Sequence, residues 1–497
     1  MRIDQLTKMR FVGFATLAGL VLGAAGCDSG GGAGGDDDDD VQVDGGSSGR
    51  DPFAALPDTA EGLTNVSADL DAVLERGALA DACTRWRAGG ADRRTQLLCG
   101  KWMFFYEGFG TAGVPAVLPE VLIENFPDDI GPGFSKYGMV ADPGSAKKLP
   151  LGLAPGAKLG NLDTLAFTCA SCHFARLPDG RYAVGAPNHA YEYGKQNLAL
   201  AVFPLLAIMG SPADHDPDAI AAIQPLLDKV AADGALKLRL IGALLPLAGG
   251  AGMAPMFPRE AEHHYARWPS GTMDFLIEPL PINDGVHTIS KISALWGLPR
   301  DDERAASGMA GAQLGWTGGT TSLLSFLRGF VDFGGGKLAD WPDDKLAPLA
   351  EYIYSLRAPA PQTPPAAAEV ARGRALFDSA GCIACHDGPR GSGRRVYRFE
   401  EIGTDRAMER WMDGPSGFAR PMTAEALTHG LKSPRLTGAW AFTRFLHNGS
   451  VRSLDALLCV TPRAGITEAA YGDAGHDFGC GLPMADRVAL VSFLKGI

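Results

Sequence analysis

The chain has 497 residues, 46% hydrophobic and 21% charged, with 45 Lys and Arg against 57 Asp and Glu and a formal charge of −12. That balance excludes a disordered chain and a many-span membrane protein, and the lack of any basic stripe argues against nucleic acid as a partner. With 65 Gly, 34 Pro and 9 Cys, two or three turn-rich domains are expected, and cysteine spacing is the informative feature.

Arg2, Lys8 and Arg10 precede an apolar run, Phe11 to Ala25, that is too short for a comfortable membrane span. The run ends in Ala24-Ala25-Gly26-Cys27, which resembles a bacterial lipobox. Residues 1–26 are therefore expected to be a lipoprotein signal peptide. Cys27 would carry the lipid and anchor a periplasmic or cell-surface protein to a bacterial membrane. Ordinary secretory cleavage nearby, with Cys27 as a spare thiol, is the alternative. Residues 27–60 are dominated by Gly, Ser and Asp, including the run Asp36 to Asp40. They cannot bury a core and read as a disordered tether.

Residues 61–357 form the expected N-terminal domain, which contains Cys169-Ala170-Ser171-Cys172-His173. Within it, Leu198 to Phe257 is strongly apolar, but Lys237 and Arg239 interrupt it. A pair of buried helices is the simpler reading, and a greasy-substrate or membrane surface is the alternative. Leu346 to Leu356 has Leu349, Tyr352, Ile353 and Leu356 at helical spacing. Residues 358–365 are proline-rich and read as a linker. Residues 366–497 suffice for a minimal second domain. A helix from Ala371 to Ser379 leads into Cys382-Ile383-Ala384-Cys385-His386, and Pro483 opens a closing helix. Each half thus runs from a cysteine motif to a terminal helix.

Cys-x-x-Cys-His is the attachment signal of c-type haem. Two thiols one turn apart add to the haem vinyl groups, and the next His binds the iron. Random placement of this composition gives roughly 0.003 such motifs per chain, and this chain has two. Zinc is the chemical alternative. Two covalently bound haem c groups are expected, with His173 and His386 as iron ligands. Cys83, Cys99, Cys459 and Cys480 then remain beside Cys27. Three pairings of these four are possible; Cys83–Cys99 and Cys459–Cys480 close the shortest loops and are expected as structural disulfides in an oxidising compartment.

The segments Gly430-Leu431-Lys432-Ser433-Pro434-Arg435-Leu436 and Phe445-Leu446-His447-Asn448-Gly449-Ser450-Val451 are similar to the C-terminal domain of bacterial di-heme cytochrome c peroxidases. The Leu446 to Val451 wording is closer to the rubber oxygenases of that superfamily. Gly403-Thr404-Asp405, Gly475 to Gly479 and Trp316-Thr317-Gly318-Gly319 fit the same group. The resemblance covers roughly residues 160–497; residues 61–160 stand outside it. It implies a mainly α fold of two cytochrome c-type domains, the N-terminal one enlarged by insertions.

The resemblance also suggests the remaining site residues. His189 stands at an offset where the peroxidases carry a distal His, and is expected to ligate or overhang haem 1. Trp316 is the candidate electron relay. His476 is expected as the distal ligand of haem 2, with His447 as its rival. His263, His264, His287 and His429 are weaker candidates, and His215 is read as a surface residue. The expected function is electron transfer with peroxide reduction at haem 1. An oxygenase cleaving an apolar substrate and a non-enzymatic electron conduit are the alternatives. The partners would be peroxide or dioxygen and a small redox protein such as a cytochrome c or cupredoxin, steered by the acidic surface.

Overall fold

A computed structural model describes residues 51–53, 62–89, 92–209, 211–248, 259–274, 289–309, 314–320, 322–409 and 430–497. The expected signal peptide, Cys27, the Asp36 to Asp40 run, His287 and His429 lie outside the described residues. The chain is mainly helical, with four small antiparallel sheets among the described residues. None of the described helices is long and apolar enough to cross a membrane.

Two helix crossings organise the molecule. The helix Arg93–Tyr106 starts where the Asp92 carboxylate accepts the Thr95 amide at 2.8 Å. It buries Leu97, Leu98, Met103, Phe104 and Phe105. Its partner is the helix Asp343–Ser355, whose Leu346, Leu349, Tyr352 and Ile353 recur on one face and are buried. Gly100 sits at the crossing, where a Cβ would collide with the Pro348 carbonyl and the Tyr352 side chain. In the C-terminal half, the helices Ala367–Ser379 and Met484–Gly496 cross in the same manner. There Gly373 is the close-approach residue, against Ala489 and Phe493. The sequence had placed no element in residues 61–160, yet they supply the opening helix of the first crossing.

Three apolar cores follow. One surrounds the first crossing, and one lies under the second. The third is built largely from the insertions, including the helices Val117–Asn125, Pro217–Ala232 and Gly234–Ala248. Leu206, Leu240 and Leu244 are buried there, while Leu245 faces out. The described part of the apolar insertion is thus mostly helical, with one face in the core.

The two halves are tied together. The expected linker is held at both sides, since Trp440 Nε1 donates to Pro359 O at 2.8 Å and Arg181 to Ala360 O at 2.7 Å. Residues 51–53, read as tether, pack on the C-terminal half instead. Phe53 meets Phe377 and Phe493 edge-on, at centroid distances of 5.5 and 5.2 Å. The Pro52 carbonyl accepts the Arg390 amide at 2.7 Å. The Cys83–Cys99 and Cys459–Cys480 disulfides are both formed, as the loop lengths had suggested.

Candidate functional site

The first motif forms one helical turn, Cys169–His173, capped by Thr168, whose hydroxyl accepts the Ala170 amide at 3.3 Å. One turn is what brings both thiols and the imidazole to one side. The segment 185–189 folds back on it. Gly185 N donates to His173 O at 2.7 Å, and Asn188 N to Cys172 O at 2.8 Å. Beneath the turn, Ser171 Oγ donates to Gly152 O at 2.8 Å. Gly152 has φ 102°, and a Cβ there would crowd the Ser171 backbone, so glycine is required. His173 Nδ1 is buried and makes no hydrogen bond. Desolvation lowers the His173 pKa to about 4, which keeps the ring neutral.

In the second motif, Gly381 adopts φ 83° ahead of the turn Cys382–Ala384. His386 Nδ1 donates to the Gly391 carbonyl at 2.5 Å. That bond fixes the tautomer and leaves the Nε2 lone pair for a metal. Desolvation again lowers this imidazole, to about 4, and the nearby His476 and Lys432 add to the effect.

His476 has φ 53°, and its amide donates to Ile402 O at 2.8 Å. Its Nδ1 is buried without a hydrogen bond. Its ring is close enough to His386 for a charge on it to depress that imidazole. His447 is 4% exposed; its Nδ1 lies 3.4 Å from Thr404 Oγ1 and its ring meets Phe399 edge-on. The neighbouring Asn448 and Ser450 side chains both donate to Gly472 O at 3.0 Å. The Asn448 to Ser450 wording therefore anchors the loop that leads to His476.

Between the motifs lies a layer of aromatic and cationic side chains. Trp316 Nε1 donates to Lys291 O at 3.1 Å, and Trp316 O accepts the Lys432 amide at 2.8 Å. The Lys291 ammonium sits 5.1, 5.8 and 5.9 Å from the ring centroids of Trp316, Phe442 and Phe445. Trp296 stacks on Phe442 with 6.2 Å between centroids and donates to Val184 O at 2.8 Å.

His189 belongs to this layer. Its Nδ1 accepts the Thr443 amide at 3.0 Å, so Nε2 carries the proton and donates to Ile292 O at 3.1 Å. Both ring nitrogens are engaged by backbone groups of different segments. Ligation of iron through Nε2, one of the two roles expected of His189, would require both bonds to break, because Nδ1 would then carry the proton. His215 is paired with Glu262 at 2.6 Å, and His263 lies 3.3 Å from Asp216 and 3.4 Å from Asp218. These are capping and ion-pair contacts of the insertion helices.

The cations Lys291, Lys432 and Arg435 were missed by motif reasoning. The available signal was a lysine closing each of two short buried strands, Ile289–Lys291 and Gly430–Lys432.

The donor set fits covalent haem. Four cysteines are in disulfides, whereas Cys169, Cys172, Cys382 and Cys385 stay outside them. Desolvation pushes the Cys169 thiol up to about 12, the reverse of a redox-active dithiol, whose first thiol is depressed. Each motif also ends in a neutral imidazole whose Nδ1 is buried.

No family model matches the chain, and no curated protein matches it. Among solved structures, a chain of Kuenenia stuttgartiensis hydrazine synthase pressurised with 20 bar xenon aligns with 47% of this chain and 79% of its own length. The identity is 19% and the TM-score 0.27, too low to support any argument about fold or function.

Proposed function

We propose that the protein is an exported, lipid-anchored c-type cytochrome of two cytochrome c-type units that transfers electrons and reduces peroxide at the N-terminal site. Cys169 and Cys172 with His173 hold one haem; Cys382 and Cys385 with His386 hold the other. Bound there, haem iron supplies one-electron transfer and, where an axial position is open, reduction of peroxide with two electrons and two protons to two waters. The observation that carries the reading is the pair of Cys-x-x-Cys-His turns, each ending in a neutral imidazole with a buried Nδ1 and outside any disulfide.

The two units differ in ways that suit different tasks. His476 faces the His386 side, so the C-terminal site is read as having two imidazole ligands and storing electrons. His189 is bound to the backbone at both nitrogens and is read as a residue that overhangs the N-terminal site and positions the two halves. That leaves the N-terminal iron open to peroxide. Trp316, hydrogen-bonded to Lys291 and Lys432, is read as the relay between them. An acidic chain suits a basic small cytochrome or cupredoxin as electron donor.

The test is rapid mixing of the reduced protein with peroxide, together with electron paramagnetic resonance of the protein as isolated. One high-spin and one low-spin iron and fast oxidation by peroxide are expected. A stable oxygenated band in air would favour the oxygenase alternative, and two inert low-spin irons the conduit.

A further inference from the structure

The helix Gly234–Ala248 has two opposite apolar faces. Leu236, Leu240 and Leu244 are buried in the core of the insertions. On the other side, Leu238 and Leu245 are 72% and 65% exposed, the most exposed large apolar side chains among the described residues. Ile241, partly exposed, and Gly242, exposed, stand between them in sequence. At about 100° per residue, positions 238, 241, 242 and 245 fall in one stripe about 100° wide, opposite the core-facing leucines. Lys237 and Arg239 are exposed and flank the stripe, one on each side. The helix holds no acidic residue, in a chain of formal charge −12.

A single exposed leucine needs no explanation, but an ordered apolar stripe does. A stripe bordered by cations on both sides is the pattern of a helix lying in a bilayer interface. The leucines enter the acyl boundary, and the Lys and Arg stems run beside them and carry their charges to anionic headgroups. Fifteen residues make about 22 Å of helix, too short for a hydrocarbon core of about 30 Å, so the helix lies flat. A second copy of the chain fits this face less well, because it would bring the cations of both helices together.

We propose that the Leu238–Leu245 face docks on the anionic surface of the membrane to which the protein is anchored. This rests on the lipid-anchored reading above, in which residues 27–50 reach at most about 80 Å when fully extended and so hold the protein close to the bilayer. Docking then fixes which side of the protein faces the membrane.

The experiment places a nitroxide label on the full-length matured protein at Leu238→Cys or Leu245→Cys. Gln224→Cys, exposed on the helix Pro217–Ala232, is the control. Collisions of the label with dioxygen, which concentrates in lipid, and with a water-soluble nickel chelate are measured in two kinds of vesicle. One is phosphatidylglycerol and phosphatidylcholine in equal parts, the other phosphatidylcholine alone. On the anionic vesicles, labels at 238 and 245 should gain dioxygen collisions and lose nickel collisions, while the label at 224 stays open to nickel. Lys237→Gln with Arg239→Gln should weaken docking about thirtyfold, and Leu245→Glu should release the label at 238. Labels at 238 and 245 as open to nickel as the control on both vesicles overturn the proposal. Labels shielded from both reagents overturn it too, since the face would then be covered by protein, either residues 249–258 or a second copy. An intact mass without acyl chains at Cys27 would instead fell the anchor reading, and the same labels measured with vesicles added to the soluble protein would still decide the docking.

Discussion

Gly373 on the helix Ala367–Ser379 faces the Ala489 carbonyl so closely that a Cβ would fall 2.0 Å from the oxygen, far inside van der Waals contact. Gly100 stands in the same relation to Pro348 at the other helix crossing. The clash in both cases is with backbone, which cannot move without parting the helices. Gly373→Ala and Gly100→Ala should therefore each destabilise their own crossing by about 3 kcal/mol, the upper end of overpacking costs. Gly242→Ala and Gly329→Ala, on helices where nothing lies within 4 Å, are the controls. They should be neutral or stabilising by up to about 1 kcal/mol. Chemical denaturation of the four variants checks this; equal effects in all four would remove the crossings as the organising contacts.

Much of this arrangement was readable from local pattern. The closing helices announced themselves by apolar spacing, so the expected Leu346 to Leu356 helix became Asp343–Ser355 and the helix after Pro483 became Met484–Gly496. Both disulfides followed from loop length. The helix Arg93–Tyr106 was not placed, because its mean hydropathy is low and its partner lies some 240 residues away (roughly, along the chain). The engagement of His189 was equally illegible, since its bonds reach Ile292 and Thr443 across the interface. Side chains whose roles are set by distant backbone leave no local signature.

Phe53 lies between Phe377 and Phe493, with the Arg374 guanidinium 4.7 Å from its ring centroid. The adjacent Pro52 carbonyl holds Arg390, next to the Gly391 that accepts from His386. Phe53→Ala should cost about 1–2 kcal/mol, less than the 3–5 of a fully buried phenylalanine. Under the two-haem reading, thermal melts monitored at the C-terminal haem should shift down while those of the N-terminal haem stay in place. A uniform shift, or none, would mean that residues 51–53 do not brace that half.

Lys101 has a fully buried side chain, with Nζ 2.8 Å from Thr64 O and 2.5 Å from Glu75 Oε2. Desolvation outweighs the Glu75 interaction and lowers its pKa to about 8. An unfolded lysine titrates near 10.4. Between these values the unfolded chain binds more protons, so stability from this group rises with pH through the window and is lost as pH falls through about 8. The gain is at most about 3 kcal/mol from pH 7.5 to 10.5. The double variant Lys101→Met/Glu75→Gln lacks this titration. Its stability relative to wild type, from urea unfolding at both pH values, should worsen on the alkaline side. A pH-independent difference would contradict the assigned shift.

In the two-haem reading proposed above, His476 and His447 are the two candidates for the second ligand of the C-terminal iron, and their surroundings differ. His447 Nδ1 faces a hydroxyl, and its ring abuts Phe399 and lies within reach of the Lys291 charge. His476 sits on the His386 side, with a buried Nδ1 that has no hydrogen bond. Its loop is built to hold a fixed position. Asn448 and Ser450 grip Gly472, and Arg463 donates to Asp473 O at 2.9 Å and Gly475 O at 2.7 Å. The Cys459–Cys480 disulfide closes a 21-residue separation around it, a constraint worth about 3 kcal/mol in the chain-entropy account. His476→Ala should convert one low-spin signal to high-spin in electron paramagnetic resonance and leave the N-terminal haem unaltered. Asn448→Ala, which leaves the buried Gly472 carbonyl short of a donor at about 1–3 kcal/mol, should do so partially and reversibly with temperature. His447→Ala should leave the low-spin signal in place. If His447→Ala abolishes that signal and His476→Ala preserves it, His447 is the ligand and the His476 loop has only a structural part.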